Sequence, residues 1–252
     1  MLEHTKQKMA SLRLNGMLLA LEEQGTQLTS PLSFEERLAL LIEREYSHRE
    51  NQRLSNRLKQ AKLKPTCSVE SIDFQHARGL HKQQLLSLAS DTWIKQHRTI
   101  MITGPTGTGK TFFACALAHK ACLLGFTSRY YRLLHLMHDV VIAYRESKLQ
   151  RYLTQISKID VLIIDDFGMN ALDEEQKRLL LEILEQRYET RSTIITSQLP
   201  VGQWYEYLND PIIADALLDR IVHQAENISL QGESMRKTRQ KLITCHEEEI
   251  KS

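Results

Sequence analysis

The segment GPTGTGKT carries the clearest chemistry in the chain, and it comprises Gly104, Pro105, Thr106, Gly107, Thr108, Gly109, Lys110 and Thr111. It matches G-x-x-x-x-G-K-[ST], in which glycines let backbone N–H groups turn inward around phosphate oxygens. An apolar run precedes the segment, and a helical pattern with a positive amino-terminal dipole follows it. Lys110 would neutralise the β and γ phosphates, and Thr111 would ligate Mg²⁺. The motif predicts a site for a nucleoside triphosphate with Mg²⁺.

Two carboxylates, Asp165 and Asp166, follow the apolar run Val161-Leu162-Ile163-Ile164 fifty residues further on. The two carboxylates would lie at the end of a strand beside the phosphate-binding loop. There we expect Asp165 to hold Mg²⁺ through water and Asp166 to polarise the attacking water. An aspartate pair after a strand can also cap the next segment. Its combination with the loop favours the catalytic interpretation.

Short apolar runs alternate with helical patterns around these motifs, which is typical of a parallel sheet covered by helices. We therefore predict an α/β fold. The expected strands are 99–103, 128–132, 161–165 and 193–197, and the expected helices are 110–124, 133–146 and 173–190.

The first 64 residues show only helical patterns. Apolar residues at helical spacing predict one helix over 2–23, with Gly25 as its stop. Ser33 and Glu36 have capping-box spacing and predict a second helix that runs to about Lys62, before Pro65. We therefore predict a helical arm over residues 1–64 and a nucleotide-binding module over residues 65–252.

The bulk properties exclude some classes of protein. A hydrophobic content of 42% suits an ordinary core, and the net charge is only +2. The amino terminus is polar and no run of about 18 apolar residues occurs, so we expect a cytoplasmic protein without a membrane partner. The four cysteines form no CxxC pair, which favours reduced thiols over a zinc site.

The end of the arm is basic. Arg49, Arg53 and Arg57 recur every four residues and would lie along one helix face. Together with Lys59, Lys62 and Lys64 they form a stripe that suits contacts with DNA phosphates. The alternative is a solvated helix face whose arginines pair with Glu45 and Glu50.

Seven segments, in this order, make the chain similar to the IstB-like family of transposition helper ATPases. That family is in the initiator branch of the AAA+ superfamily and is related to the DnaC-like helicase loaders. The resemblance covers most of the chain. The segments are LRLNGMLLALEEQ, RGLHKQQLLSLAS, GPTGTGKT, LIIDDFG, ITSQLPVGQW, DPIIADALLDRIVH and LQGESMRK.

The resemblance implies a three-layer αβα AAA+ module with a truncated lid, because only about fifteen residues separate Arg220 from Arg236. It places Gln198 in the sensor-one position, where asparagine is usual, with Ser197 as the alternative. Arg220 would be an arginine finger that acts in trans, so active sites form between subunits. Arg236 would take the nucleotide-contacting sensor-two position. Arg220 beside Asp219 could instead be an ordinary surface charge.

The same resemblance implies an ATP- and Mg²⁺-dependent homo-oligomer that assembles on duplex DNA and stimulates a partner transposase during insertion-sequence transposition. A helicase loader shares the ATPase core, and its arm would contact a helicase instead. The basic stripe favours DNA. A P-loop kinase for a small molecule is disfavoured, because the chain after Asp166 offers no lid rich in phosphate-binding arginines.

Overall fold

The computed structural model describes residues 2–26, 32–64, 67–72, 84, 87–222, 225–232 and 234. The chain divides into two compact units, Met1–Arg57 and Leu58–Ser252. The division falls inside a long helix rather than at the predicted domain boundary after residue 64. The functional meaning of that boundary stays a prediction.

Three helices form the first unit, and the third continues into the second: α1 (Leu2–Ser11), α2 (Asn15–Thr26) and α3 (Phe34–Ala61). The prediction of one helix over 2–23 is wrong. Arg13 has a φ of 57°, and its N–H donates to the Ala10 carbonyl while that of Leu14 donates to Met9. This is a Schellman motif, which ends a helix at a left-handed residue.

The predicted start and end of α3 are confirmed to within a residue. The Ser33 N–H donates to the Glu36 carboxylate at 2.7 Å, and the Glu36 N–H donates to Ser33 Oγ at 3.2 Å. These reciprocal bonds are a capping box. Lys62, just after the helix, has a φ of 51°, which stops further helical hydrogen bonding.

A five-stranded parallel sheet lies in the second unit and has the order β2-β3-β4-β1-β5. The four predicted strands are confirmed, β3 and β4 being slightly longer than expected. Sequence reasoning missed β5, because AENIS contains one buried residue, Ile228, and therefore no apolar run. The strands are β1 (Thr99–Thr103), β2 (Ser128–Arg132), β3 (Val161–Phe167), β4 (Ser192–Ser197) and β5 (Ala225–Ser229).

Helices cover both faces of this sheet, so the predicted three-layer α/β architecture is confirmed. Successive residues of a strand point to opposite faces: Met101 lies in the core shared with α6 to α10, whereas Ile100 and Ile102 lie in the core shared with α5. The helices are α4 (Thr92–Lys95), α5 (Lys110–Leu123), α6 (Leu133–Arg145), α7 (Leu149–Ser157), α8 (Glu174–Arg187), α9 (Trp204–Leu208) and α10 (Pro211–Val222).

Among the described helices, none is long and apolar enough to cross a membrane. Cys67, Cys115 and Cys122 are buried and form no disulfide in the described part of the chain, and Cys245 lies outside it. The predicted truncation of the lid also concerns residues after 234, which lie outside the described part of the chain.

Candidate active site

The phosphate-binding loop lies between β1 and α5, at the carboxyl edge of the parallel sheet. Gly104, Gly107 and Gly109 have φ values of 143°, 85° and 95°, which residues with a Cβ atom rarely adopt. Close packing adds a second requirement, since a Cβ atom on Gly107 would lie 2.2 Å from Ser234 Oγ. The glycines therefore hold a curvature that lets backbone N–H groups converge on an anion.

Lys110 is the first residue of α5, and its side chain folds back across the loop. Nζ donates to the carbonyl oxygens of Gly104 at 2.7 Å and Pro105 at 2.8 Å. The Thr108 hydroxyl donates to the same Pro105 oxygen at 2.9 Å, whereas Thr106 is exposed at the tip. Charged phosphate oxygens are stronger acceptors than these carbonyls, so a phosphate would compete for the ammonium.

Burial lowers the pKa of Lys110, and the negative charges of Asp165 and Asp166 act to raise it. Both carboxylates therefore lie close enough to act on this ammonium, although they are more than fifty residues away in sequence. The fold has brought the two predicted acidic residues to the predicted phosphate-binding lysine.

Asp165 is a buried carboxylate near the end of β3, surrounded by hydroxyl donors. It accepts from Thr111 Oγ1, which lies 2.9 Å from Oδ1 and 3.0 Å from Oδ2. The Tyr130 hydroxyl donates to Oδ2 at 2.6 Å, and the Thr196 hydroxyl donates to Oδ1. Buried charges need such partners, and these bonds fix the orientation of the carboxylate.

The oxygens of Thr111 and Asp165 fit a magnesium site by their chemistry. Mg²⁺ prefers hard oxygen ligands and commonly keeps several waters with one or two carboxylates and substrate phosphates. A hydroxyl can rotate its proton away and present a lone pair to a metal ion. The direct contact between Thr111 and Asp165 therefore brings together two oxygen ligands of the kind that Mg²⁺ requires.

A β-bulge places Asp165 and Asp166 side by side. β3 and β4 pair in register up to Ile164 opposite Ile195, and pairing resumes at Phe167 opposite Ser197. Two aspartates therefore occupy the length of one residue on β4, and Asp166 has a φ of 65°. In a regular strand their side chains would point to opposite faces of the sheet; a bulge can redirect a side chain.

Arg132, the last residue of β2, contacts the second carboxylate. Its Nε lies 3.5 Å from Asp166 Oδ2. A hydrogen bond with Tyr130 raises the pKa of Arg132, and the charge of Asp166 adds to this effect. Asp166 is about one-third exposed and Arg132 about half exposed, so water reaches this pair.

The polar residue of β4 that reaches the aspartates is Thr196. Besides its bond to Asp165, its Oγ1 accepts from the Asp166 N–H at 3.2 Å. Ser197 is buried and donates instead to the Phe167 carbonyl at 2.7 Å, and Gln198 is exposed. Thr196 is thus the β4 side chain that contacts the aspartates, and it precedes Ser197 and Gln198, which stay predictions for the sensor-one position.

Arg220 lies near the carboxyl end of α10 and is held by two contacts. Nη1 donates to the Ala216 carbonyl at 2.7 Å, and Nη2 lies 2.7 Å from Glu185 Oε1. The partner is thus a residue of α8 and not the neighbouring Asp219. The guanidinium side chain is about one-quarter exposed.

The strand register shows where Arg220 lies relative to the loop. α10 leads into β5, whose first residue Ala225 pairs with Thr99, the first residue of β1. The phosphate-binding loop follows Thr103, the last residue of β1, and five strand residues span about 13 Å. The structure therefore does not bring Arg220 to the loop of its own chain. Arg236 lies outside the described residues.

Several arginines of the basic stripe have partners. Arg49 Nε lies 2.6 Å from Glu45, and Arg53 Nη1 lies 2.5 Å from Glu50. Glu45 is buried and also accepts from the N–H groups of Gly16 and Met17.

The remaining stripe residues differ in exposure. Lys59 and Lys62 are exposed, and Arg57 is partly buried. Lys64 is half exposed and also reaches the active site, where its Nζ lies 3.9 Å from Asp165 Oδ2. The six basic residues are therefore not one uniform face of free cations.

Sequence reasoning missed Tyr130, Arg132 and Thr196 as residues of this site. It placed Lys64 in the basic stripe and missed its contact with Asp165. For Arg132 and Thr196 a signal existed, because both lie at the carboxyl ends of strands that flank β3, where ligands bind in parallel sheets. Lys64 carries no such signal, since only the path of the chain after α3 brings it there.

The family model for IstB-like ATP-binding proteins matches residues 7–243. A Sinorhizobium fredii protein named as an insertion-sequence ATP-binding protein is 41% identical, over 96% of this chain and 99% of its own. The ATP-binding protein of insertion sequence IS1162 from Pseudomonas fluorescens is 46% identical, over 79% of this chain and 87% of its own.

Two solved structures show the same fold. The DnaC helicase loader superposes with a TM-score of 0.55 at 18% identity, covering 66% of this chain and 98% of its own. DnaI superposes with a TM-score of 0.57 at 20% identity, covering 66% of this chain and 92% of its own. The second unit therefore has the P-loop fold of these AAA+ proteins.

Proposed function

The chain belongs to the family of IstB-like ATP-binding proteins, and we propose that it assembles on target DNA and stimulates a partner transposase. It is an ATPase of the AAA+ type. The convergence of Lys110, Thr111, Asp165 and Asp166 at the carboxyl edge of one sheet is the observation that carries the enzymatic part.

Each residue has a defined task in the proposed hydrolysis. The loop N–H groups and Lys110 bind the triphosphate, and Thr111 with Asp165 hold the metal. When bound, Mg²⁺ neutralises charge on the β and γ phosphates. Asp166, partly open to solvent, orients and polarises the attacking water. Arg132 fixes the position of the Asp166 carboxylate.

The arginine finger is proposed to come from a neighbouring subunit. Arg220 lies a strand length from the loop of its own chain, so it cannot stabilise the transition state there. Its ion pair with Glu185 holds it at a partly exposed position, from which it would contact the nucleotide of an adjacent copy. A homo-oligomer with shared active sites follows from this assignment.

The proposed DNA contacts are the exposed or half-exposed cations at the end of α3. They comprise Arg49, Arg53, Arg57, Lys59 and Lys62. Pairing of Arg49 and Arg53 with glutamates weakens their attraction for phosphates, so Lys59 and Lys62 should contribute most. Relatives named as insertion-sequence proteins support target DNA and a transposase as the partners.

A salt titration of duplex DNA binding, with and without ATP, tests the role. We expect affinity to fall steeply with salt, the logarithmic slope counting the phosphates that are neutralised. Lys59→Gln combined with Lys62→Gln should reduce the slope by about 2. Glu35→Gln combined with Glu36→Gln, at the other end of α3, removes two charges as a control.

The second candidate is a replicative helicase loader, which the likeness to the DnaC fold favours. This candidate predicts no duplex binding at low salt in either nucleotide state and capture of a replicative helicase by the arm. Duplex binding that depends on ATP, without helicase capture, would remove it.

A further inference from the structure

Lys64 approaches the most buried carboxylate of the active site from outside the ATPase motifs. Its Nζ lies 3.9 Å from Asp165 Oδ2 and 5.7 Å from the centroid of the Tyr130 ring. The Lys64 side chain is 42% exposed, whereas that of Asp165 is 1% exposed. One end of this ion pair is therefore buried while the other still has room to move.

The backbone that leads to Lys64 is held by contacts with α5 and β2. The Lys64 N–H donates to the Cys115 thiol in α5. Leu63 packs against the hydrophobic core that α5 shares with the sheet. Just before it, Arg129 Nη1 donates to the Gln60 carbonyl at 2.6 Å, which ties the last turn of α3 to β2. The approach of Lys64 to Asp165 thus follows from the chain path and not from a freely rotating surface side chain.

The oxygen that faces Lys64 already has other donors. Asp165 Oδ2 lies 2.6 Å from the Tyr130 hydroxyl and 3.0 Å from the Thr111 hydroxyl. The ammonium supplies the positive charge that a buried carboxylate needs. A divalent cation held by Thr111 and Asp165 would supply that charge as well, and the two cations would repel each other.

We infer that Lys64 is a tethered cation that neutralises Asp165 and competes with Mg²⁺ for it. This inference rests on the proposed Mg²⁺-dependent ATPase site. Binding of the metal displaces the ammonium, whose half-exposed side chain turns into solvent.

The test measures the Mg²⁺ requirement of nucleotide binding. The melting temperature of the full chain is followed while Mg²⁺ is titrated at a fixed ATP concentration. For Lys64→Met, the half-maximal Mg²⁺ concentration should fall by about fivefold, the effect of losing a partly exposed charge pair. Lys95→Met is the matched control, because Lys95 is an exposed lysine of α4 that pairs with Asp91, and its midpoint should equal that of the wild type.

A second measurement separates competition with the metal from contact with phosphate. If Lys64 instead bound the triphosphate, Lys64→Met would weaken ATP binding in EDTA, and that result would overturn the inference. So would an unchanged or higher Mg²⁺ midpoint. Lys64→Gln removes the charge but keeps a polar side chain at the same place, and it is measured in parallel. Should the methionine variant not fold, the Mg²⁺ midpoint of Lys64→Gln tests the inference.

Failure of the inference differs from failure of the proposed function. If wild type and Lys95→Met show an Mg²⁺-dependent shift with ATP and Lys64→Met matches them, only the role of Lys64 is refuted. If the wild type itself shows no shift with Mg²⁺ and ATP, the nucleotide site is refuted and the inference with it.

Discussion

The Thr196 hydroxyl donates a hydrogen bond to the Asp165 carboxylate across the bulge between β3 and β4. The same oxygen accepts the backbone N–H of Asp166. One side chain thus holds both the carboxylate proposed for the metal and the backbone of the proposed water-polarising residue.

Thr196→Val should lower the free energy of unfolding by about 1–3 kcal/mol, because valine leaves a buried carboxylate and a partly buried N–H with one partner fewer. Urea denaturation measures the change. Thr196→Ser keeps the hydroxyl and serves as the control, so equal destabilisation by serine and valine would show that packing, and not hydrogen bonding, matters here.

Asp166→Asn should bind ATP with near-normal affinity but stall its hydrolysis, since an amide cannot accept the proton of the attacking water. Single-turnover cleavage measures this step directly. Asp139→Asn, an exposed position on α6, is the control for a loss of negative charge. Normal cleavage by Asp166→Asn would place the base elsewhere.

Arg220→Ala should leave nucleotide binding intact and reduce hydrolysis by roughly 10³-fold, the lower range for arginine fingers. Glu185→Gln is the decisive control, because it removes the ion pair of Arg220 while keeping the guanidinium. A loss with Arg220→Ala that Glu185→Gln does not share assigns the effect to the guanidinium, whereas hydrolysis by Arg220→Ala at the wild-type rate would show that Arg220 is not a finger. Mixing Arg220→Ala with Lys110→Ala should restore activity where subunits share sites.

Lys110→Ala should abolish ATP binding at concentrations that saturate the wild type, because the ammonium is the charged donor inside the phosphate-binding loop. Binding of a fluorescent ATP analogue measures this, and circular dichroism checks that the variant is folded. ATP affinity equal to that of the wild type would exclude the loop as the nucleotide site.

The secondary structure was largely predictable because its signals are local. Short apolar runs that alternate with helical patterns identified β1 to β4, and the capping box at Ser33 identified the start of α3. The failures have local causes too: the Schellman motif at Arg13 uses no glycine, and β5 buries only Ile228 against solvent-facing neighbours.

The site was predictable where function requires a contiguous motif and not where it requires a long-range contact. The glycines of the loop and the Asp165–Asp166 pair form contiguous motifs that the sequence shows directly. Thr196, Arg132 and Tyr130 become part of the site only because β2 and β4 flank β3 in the sheet. Gln198 and Ser197 stay predictions for the sensor position, and the contact of Thr196 with Asp165 depends on how β3 pairs with β4 around the bulge.

The sequence by itself determined the phosphate-binding loop, the acidic pair and the α/β class, because short-range spacing dictates backbone turns and helix or strand periodicity. Tertiary structure alone decided three features: Asp165 and Asp166 lie side by side through a bulge, Arg220 lies a strand length from its own loop, and Lys64 reaches Asp165. These depend on strand order, register and chain path, which arise from packing between residues distant in sequence.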